Sequence, residues 1–445
     1  MTIQIPRSLL IPIHTILLTA ITTVHTQIFA HFFALYPYAI PLYTFSPFSL
    51  LTIILPILST TIGLLLLGHV LSSSKRKALN LITYTFLLSS LSMLTIFILA
   101  FVKHEYNYLS VVVVSVVYYF TPALGASVPG VLYTGVSLLS AGEENVRSMR
   151  IYAVGGAGIL GFLVGSGIGE VVFRVHWGFV IVLGAEILLG LVAVWIGRKI
   201  TEESEVAAHQ EEGDETDGLV TGGAEEVVEV KEEGFFEGYK TCLLESKSLT
   251  RWSFGLFFLM GITKAMAPVG FMHVLMGRLE DYEKIWVIYY LCPIISSVIL
   301  AGVLPLTLWK SSWNAGRISL IVGRVSIVLL ALGTVLVGAV RSLPIAVAGL
   351  IITALGAATD FSILASIAGD IDPKMNGRTI MLMAAFESLG RAVGVATLFP
   401  AYSWSNTQPG HAGGLTFVIC AGIYAVGASV LFFKFKCPTN RIVLI

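Results

Sequence analysis

Charge is what this 445-residue chain has least of. Only 12% of its residues are Asp, Glu, Lys or Arg, against 56% hydrophobic, and the mean hydropathy is +0.86. Soluble domains carry about 25% charged residues, so a water-soluble enzyme is excluded. Cysteine is scarce too. Cys242, Cys292, Cys420 and Cys437 stand far apart, with no CxxC or Cys/His spacing, which argues against a disulfide framework or a zinc site. No Walker A sequence occurs: Gly261-Ile-Thr-Lys264 lacks the glycine spacing and the hydroxyl, which argues against nucleotide-driven pumping. Gly156-Ala-Gly158-Ile-Leu-Gly161 matches GxGxxG, but it lies inside an apolar run with no strand before it and is no dinucleotide loop. Neither HExxH nor GxSxG is present to support hydrolysis. The expectation is a chain that is not an enzyme, holds no cofactor or metal and binds no nucleic acid.

The charge that exists is segregated. Of the 27 acidic residues, 14 fall between Glu202 and Glu237, so the rest of the chain is nearly neutral. On either side of that acidic stretch, apolar residues come in blocks long enough to cross a bilayer, about 20 residues each. Spans are predicted at 9–33, 48–71, 81–101, 109–139, 151–173 and 178–196, and then at 252–275, 285–309, 318–340, 343–368, 379–402 and 415–435. This is an all-α polytopic membrane protein of about twelve spans in two six-helix bundles. The expected units are residues 1–200, an acidic linker at 201–250, and residues 251–445. The first span carries His14, His25, Gln27 and His31, which leaves an eleven-span count open.

Basic residues set the expected orientation. With both termini inside, Arg7, Lys75, Arg76, Lys77, Arg147, Arg150, Arg198, Lys199, Lys310, Arg317, Lys374, Arg378, Lys434 and Lys436 collect on the cytoplasmic side. Only Lys103, Arg174, Arg278, Lys284 and Arg341 fall on the other, so the linker is expected in the cytoplasm. The linker is too acidic and too poor in apolar residues to form a core. Its last part differs: Phe235, Phe236, Tyr239, Leu243 and Leu244, with Lys240, Lys247 and Arg251, predict a short amphipathic helix on the membrane surface.

The halves echo one another. Gly158-Ile-Leu-Gly161-Phe-Leu-Val-Gly165 in the fifth span parallels Glu387-Ser-Leu-Gly390-Arg-Ala-Val-Gly394 in the eleventh. Upstream, Asn145-Val-Arg147 parallels Asn376-Gly-Arg378. With the span count, the acidic central loop and the segment 368–394, these features make the chain resemble the major facilitator superfamily, most of all its fungal twelve-helix members. The family's loop after the second helix reads Gly-x-x-x-Asp-(Arg/Lys)-x-Gly-(Arg/Lys)-(Arg/Lys). Here Gly68, Arg76 and Lys77 fit it, while Ser72 replaces the acid and Lys75 the second glycine. The exporter-type pattern of the fifth helix is matched at Gly161, Gly165 and Gly169, with Ser166 for its proline and Glu170 for its last glycine. Glycines four apart also make an ordinary packing seam, so the direction of transport stays open.

Ionisable residues inside spans carry the functional expectation, because each costs about 2.5–3.5 kcal/mol at the bilayer centre. Glu186, Lys264, Arg324, Asp360, Glu387 and Arg391 stand out. Glu387 and Arg391, four apart, share a helix face and can pair. They read either as a self-neutralised structural pair or as a proton-coupling pair, with Asp360 and Glu186 the other coupling candidates. The resemblance implies that the first, fourth, seventh and tenth helices line a central cavity. His25, Tyr118, Tyr119, Thr121, Lys264 and Asp360 are the residues it would bring there, and Lys264 and Asp360 also read as a static bridge near the middle of their helices. Arg324 reads as structural, snorkelling to a helix end. Gly390 and Gly394 complete the packing set.

The function implied is secondary active transport of a small organic solute, coupled to protons, in a lipid bilayer. A transport-dead or solute-sensing membrane protein is the alternative, given the eroded loop 72–75. The oligomeric state, the substrate and the membrane, whether plasma or vacuolar, stay open.

Overall fold

In a computed structural model of the chain the described residues are 47–73, 144–173, 234–266, 282–311, 313–339, 343–368, 371, 375–407 and 414–435, with single positions inside 12–23 and 184–195. Among them there is no strand, and six helices are long and apolar enough to cross a membrane. The elements are α1 (Pro47–Ser73), α2 (Glu144–Phe173), α3 (Phe235–Glu245), α4 (Ser248–Lys264), α5 (Tyr282–Val298), α6 (Leu304–Lys310), α7 (Ala315–Ala339), α8 (Leu343–Leu355), α9 (Thr359–Ile367), α10 (Asn376–Thr407) and α11 (Leu415–Phe433). The linker residues 201–233 lie outside the described residues.

Three of the expected spans are interrupted, each where the sequence removes a backbone bond or a side chain. The eighth span divides into α5 and α6 across one wide turn, Ile299–Val303. Pro305 follows it and has no N–H to offer the carbonyl four residues back, so the helix widens. The tenth divides into α8 and α9 across a tight turn, Gly356–Ala358. Gly356 is pressed there against the Ser326 carbonyl and the Leu330 side chain of α7. In the seventh, regular helix gives way to a turn at Ala265 and Met266, where the Lys264 carbonyl would need the missing N–H of Pro268. Lys264 is thus the last residue of α4, and residues 267–281 lie outside the described residues.

Close approach of backbones sets the packing. Gly161 and Gly165 of α2 face Ile16, Thr19, Ala20 and Thr23 of the first span, so this pair of the glycine series is a contact seam. Gly169 lies further along the same helix. Gly261 of α4 lies against the backbone at Glu387 and Arg391 of α10, while Gly390 and Gly394 lie against the Phe258 and Ile262 carbonyls of α4. Gly390 and Gly394, four apart on α10, and Gly261 on α4 together make a glycine-lined crossing.

The two halves of the chain dock along α1–α10 and along α2 against α5, α6 and α9. The polar first turns of α2 extend the fifth span seven residues beyond the hydropathy boundary, because they have partners there. Glu144 accepts from Asn314 Nδ2 (3.0 Å) and from the Gly316 N–H (3.2 Å), at the start of α7. Arg147 Nη1 donates to the Ala368 carbonyl at the end of α9 (3.1 Å). Tyr152, fully buried, donates its hydroxyl to Ser362 Oγ of α9 (3.2 Å).

The expected amphipathic helix forms as α3, but one face packs on protein and not on the membrane surface. Tyr239 donates to the Leu65 carbonyl of α1 (2.5 Å), next to Gly68, and Cys242 Sγ meets Thr379 Oγ1 of α10 (3.3 Å). Phe236, Leu243 and Leu244 on the other face stay exposed. Burial pushes the Tyr239 phenol well above its ordinary range and raises the Cys242 thiol, so both stay protonated at neutral pH.

The glycine crossing generates a test. Gly390→Val forces a side chain into the Phe258 carbonyl and should cost about 1–3 kcal/mol or more. Gly255→Ala, where a Cβ meets nothing within 4 Å, should cost nothing. Thermal unfolding in detergent is the readout. Equal stability of the two variants would contradict the crossing.

Candidate functional site

The α4–α10 crossing carries charge on its inner side. Lys264 follows Gly261 by three residues, and Glu387 contributes the carbonyl that Gly261 packs against, so the two side chains are brought to the same depth. Lys264 Nζ donates to Glu387 Oε1 at 2.9 Å. Arg391 Nη2 donates to that same oxygen at 2.5 Å. Lys264 Nζ also donates to Asp360 Oδ2, placed by the first turn of α9 directly after the tight turn. Two cations and two carboxylates from three helices thus form one network with no net charge. The sequence separates its members by up to 127 positions: spacing alone offered the i, i+4 pair, the resemblance offered the Lys264–Asp360 bridge, and neither offered the contact of Lys264 with Glu387.

The carboxylates are the buried members. Side-chain exposure is 14% for Asp360 and 15% for Glu387, but 27% for Lys264 and 47% for Arg391. Asp360 Oδ1 is buried and has no hydrogen-bond partner among the described residues. Nearby, Tyr424 of α11 is buried, and Thr263 Oγ1 donates to the Met260 carbonyl (2.9 Å).

The helical phase shows what the exposed end of Arg391 faces. At about 100° per residue, Gly390 and Gly394 point to α4 while Ser388 points to α1, where it donates to the Ile57 carbonyl (3.0 Å). Leu389 and Val393 are exposed on the opposite arc, where lipid belongs. Arg391 lies in the arc between α4 and α1 and so opens toward the space between the two halves of the chain. Lys264 is inward on α4 by the same reckoning, opposite Gly255 and the exposed Trp252.

The remaining candidates do not join this network. Arg324 donates to the Leu431 (3.3 Å), Phe432 (3.4 Å) and Phe435 (2.6 Å) carbonyls, filling the open end of α11. Gly68 packs against α3 and α10, and Gly161, Gly165, Gly390 and Gly394 are backbone contacts. His25, Arg76, Lys77, Tyr118, Tyr119, Thr121 and Glu186 lie outside the described residues.

A family model described as Major Facilitator Superfamily matches residues 143–395, more than half of the chain and including all four members of the network. The chain belongs to the Major Facilitator Superfamily. The human organic anion transporter MFSD10 (TETRAN) shares the fold, with a TM-score of 0.67 at 13% identity, covering 96% of this chain and 100% of that one. The proton:xylose symporter XylE bound to 6-bromo-6-deoxy-D-glucose aligns with a TM-score of 0.63 at 13% identity, covering 96% and 95%. No curated relative matches the chain. As a member of this family the chain is an integral, multi-pass membrane transporter and not an enzyme.

The inward phase of Arg391 is testable by labelling. With the native cysteines replaced, Arg391→Cys should react with a membrane-impermeant thiol reagent about tenfold faster or more than Val393→Cys, because only a water-facing thiol ionises readily. Equal rates in two monodisperse variants would place Arg391 in lipid.

Proposed function

We propose that the protein is a secondary active transporter that moves a small organic solute by alternating access and couples it to protons through Glu387 and Asp360. The single observation behind this is the neutral four-residue network. Four unpaired charges at that depth would cost on the order of 10 kcal/mol, so the network persists only while each cation has its carboxylate. A proton arriving on either carboxylate removes one attachment of Lys264 or Arg391. The tie among α4, α9 and α10 then loosens, and a cation becomes available to something else in the central space. A proton is in this way converted into a change of helix contacts, which is what coupling in a rocking transporter requires.

The fold neighbours transport different solutes by their titles, an organic anion and a sugar, and at 13% identity neither title transfers. The solute is accordingly sought by a metabolite screen in proteoliposomes, with and without an imposed pH gradient. Glu387→Gln keeps the shape of the side chain and removes its titration. We expect it to lose accumulation driven by the gradient while retaining solute exchange, with Asp360→Asn as the parallel variant. If Glu387→Gln accumulates solute with normal pH dependence, Glu387 is a structural partner of Arg391 and the coupling role passes to Asp360. Flux of no solute in a well-folded preparation would overturn transport itself.

A further inference from the structure

We propose that the solute is an organic monoanion, taken up at the Lys264–Asp360–Glu387–Arg391 network together with one proton. The inference deepens the proton-coupled reading and rests on it. Its basis is charge conservation in a low-dielectric site. With both carboxylates ionised the network is neutral and internally paired. Adding one proton leaves it with one positive charge in excess, and a buried, uncompensated charge is strongly disfavoured. Adding a monoanion restores neutrality. The empty carrier and the carrier loaded with both ligands are therefore neutral, whereas either ligand alone leaves a charge to be buried when the halves move. A neutral solute has no such effect, and a dianion or a cation makes the loaded network charged.

The geometry supplies the receiving groups. Arg391 spends one N–H of its guanidinium on Glu387 and leaves nearly half of its side chain open to the space between α4 and α1. A guanidinium with unspent donors in a fixed fork matches a carboxylate or another planar oxyanion in two-point contact. Lys264, the second cation, is bound to both carboxylates and is partly released when either is protonated.

Among the described residues, the other titratable groups around the network do not alter this count. From α11 come Tyr424 and Cys420, both neutral donors in their ordinary state. Within α1, packed along α10, the one ionisable side chain is His69, at its linker-side end. On the elements packed against α9, Tyr152 of α2 is held on Ser362 and Arg324 of α7 on the end of α11.

The test reads binding, so it is independent of flux. Asp360→Asn fixes the network in the net charge of its protonated form at any pH, and Glu387→Gln does so by the other carboxylate. Full-length protein in detergent is unfolded thermally with acetate, benzoate and pyruvate as monoanions. Benzamide, benzylammonium and phthalate serve as the neutral, cationic and dianionic comparators. Benzoate or another monoanion should raise the Tm of Asp360→Asn or Glu387→Gln by about 2 °C or more near saturation. The shift should vanish in Asp360→Asn/Arg391→Gln, where the count returns to zero. In the wild type it should appear at acidic pH and fade as the pH rises. Equal stabilisation by benzamide or benzylammonium, or no shift by any monoanion in either single variant, would overturn the proposal. Anion binding that persists while proton-driven accumulation fails would count against coupling alone and leave the monoanion site standing.

Discussion

A charged side chain inside a bilayer must bring its own counter-charge, and the α4–α9–α10 network is arranged around that demand. Lys264 reaches two carboxylates only because Gly261, Gly390 and Gly394 let α4 and α10 approach backbone to backbone. Asp360 reaches it only because the tenth span breaks at Gly356–Ala358 and restarts with the aspartate in its first turn. Regular helix in α4 ends at the very residue that carries the amine. Small residues and breaks would weaken an isolated helix. Here they are the positions from which the charges are presented.

A different logic governs the contacts between the halves. Glu144 to the start of α7, Arg147 to the end of α9, Tyr152 to Ser362, Ser388 to the Ile57 carbonyl and Ser297 to the Gly156 carbonyl all cross between them. Each joins a side chain to a backbone group or a hydroxyl, and because water can replace the partner such a bond contributes only about 1 kcal/mol net, or about 1.5–3 kcal/mol where one group is charged, as at Glu144 and Arg147. Tyr239 adds another from α3, at the end of the acidic linker. Bonds of that size hold one arrangement of the halves without making it permanent. The charge network, by contrast, joins residues of the C-terminal half alone, and its carboxylates are its buried members.

Most of the membrane architecture was legible in composition, because hydropathy over about 20 residues depends on no tertiary partner. The helix breaks at Gly356 and in the seventh span were less so: hydropathy does not register a missing N–H or a glycine contact. Of the network, Glu387 and Arg391 could be paired from spacing alone, since four residues bring two side chains to one face. Lys264 and Asp360 could be placed, in the cavity or as a bridge to each other, only through the resemblance. Their meeting with Glu387 depends on how three helices cross. The glycines at 261, 390 and 394 held that information, but periodicity tells which residues share a face and not what the face meets. The same limit applies to α3, whose apolar pattern is right and whose partner turned out to be α1 and α10.

The central claim is that the two carboxylates of this network carry the transported proton. It is tested most directly by trapping a pH-sensitive dye inside proteoliposomes and driving inward whichever solute the flux screen returns. The account predicts that solute entry acidifies the lumen in the wild type, and that Asp360→Asn and Glu387→Gln, each made singly, abolish the acidification while leaving exchange of the solute measurable. Unchanged acidification in both single variants would contradict it.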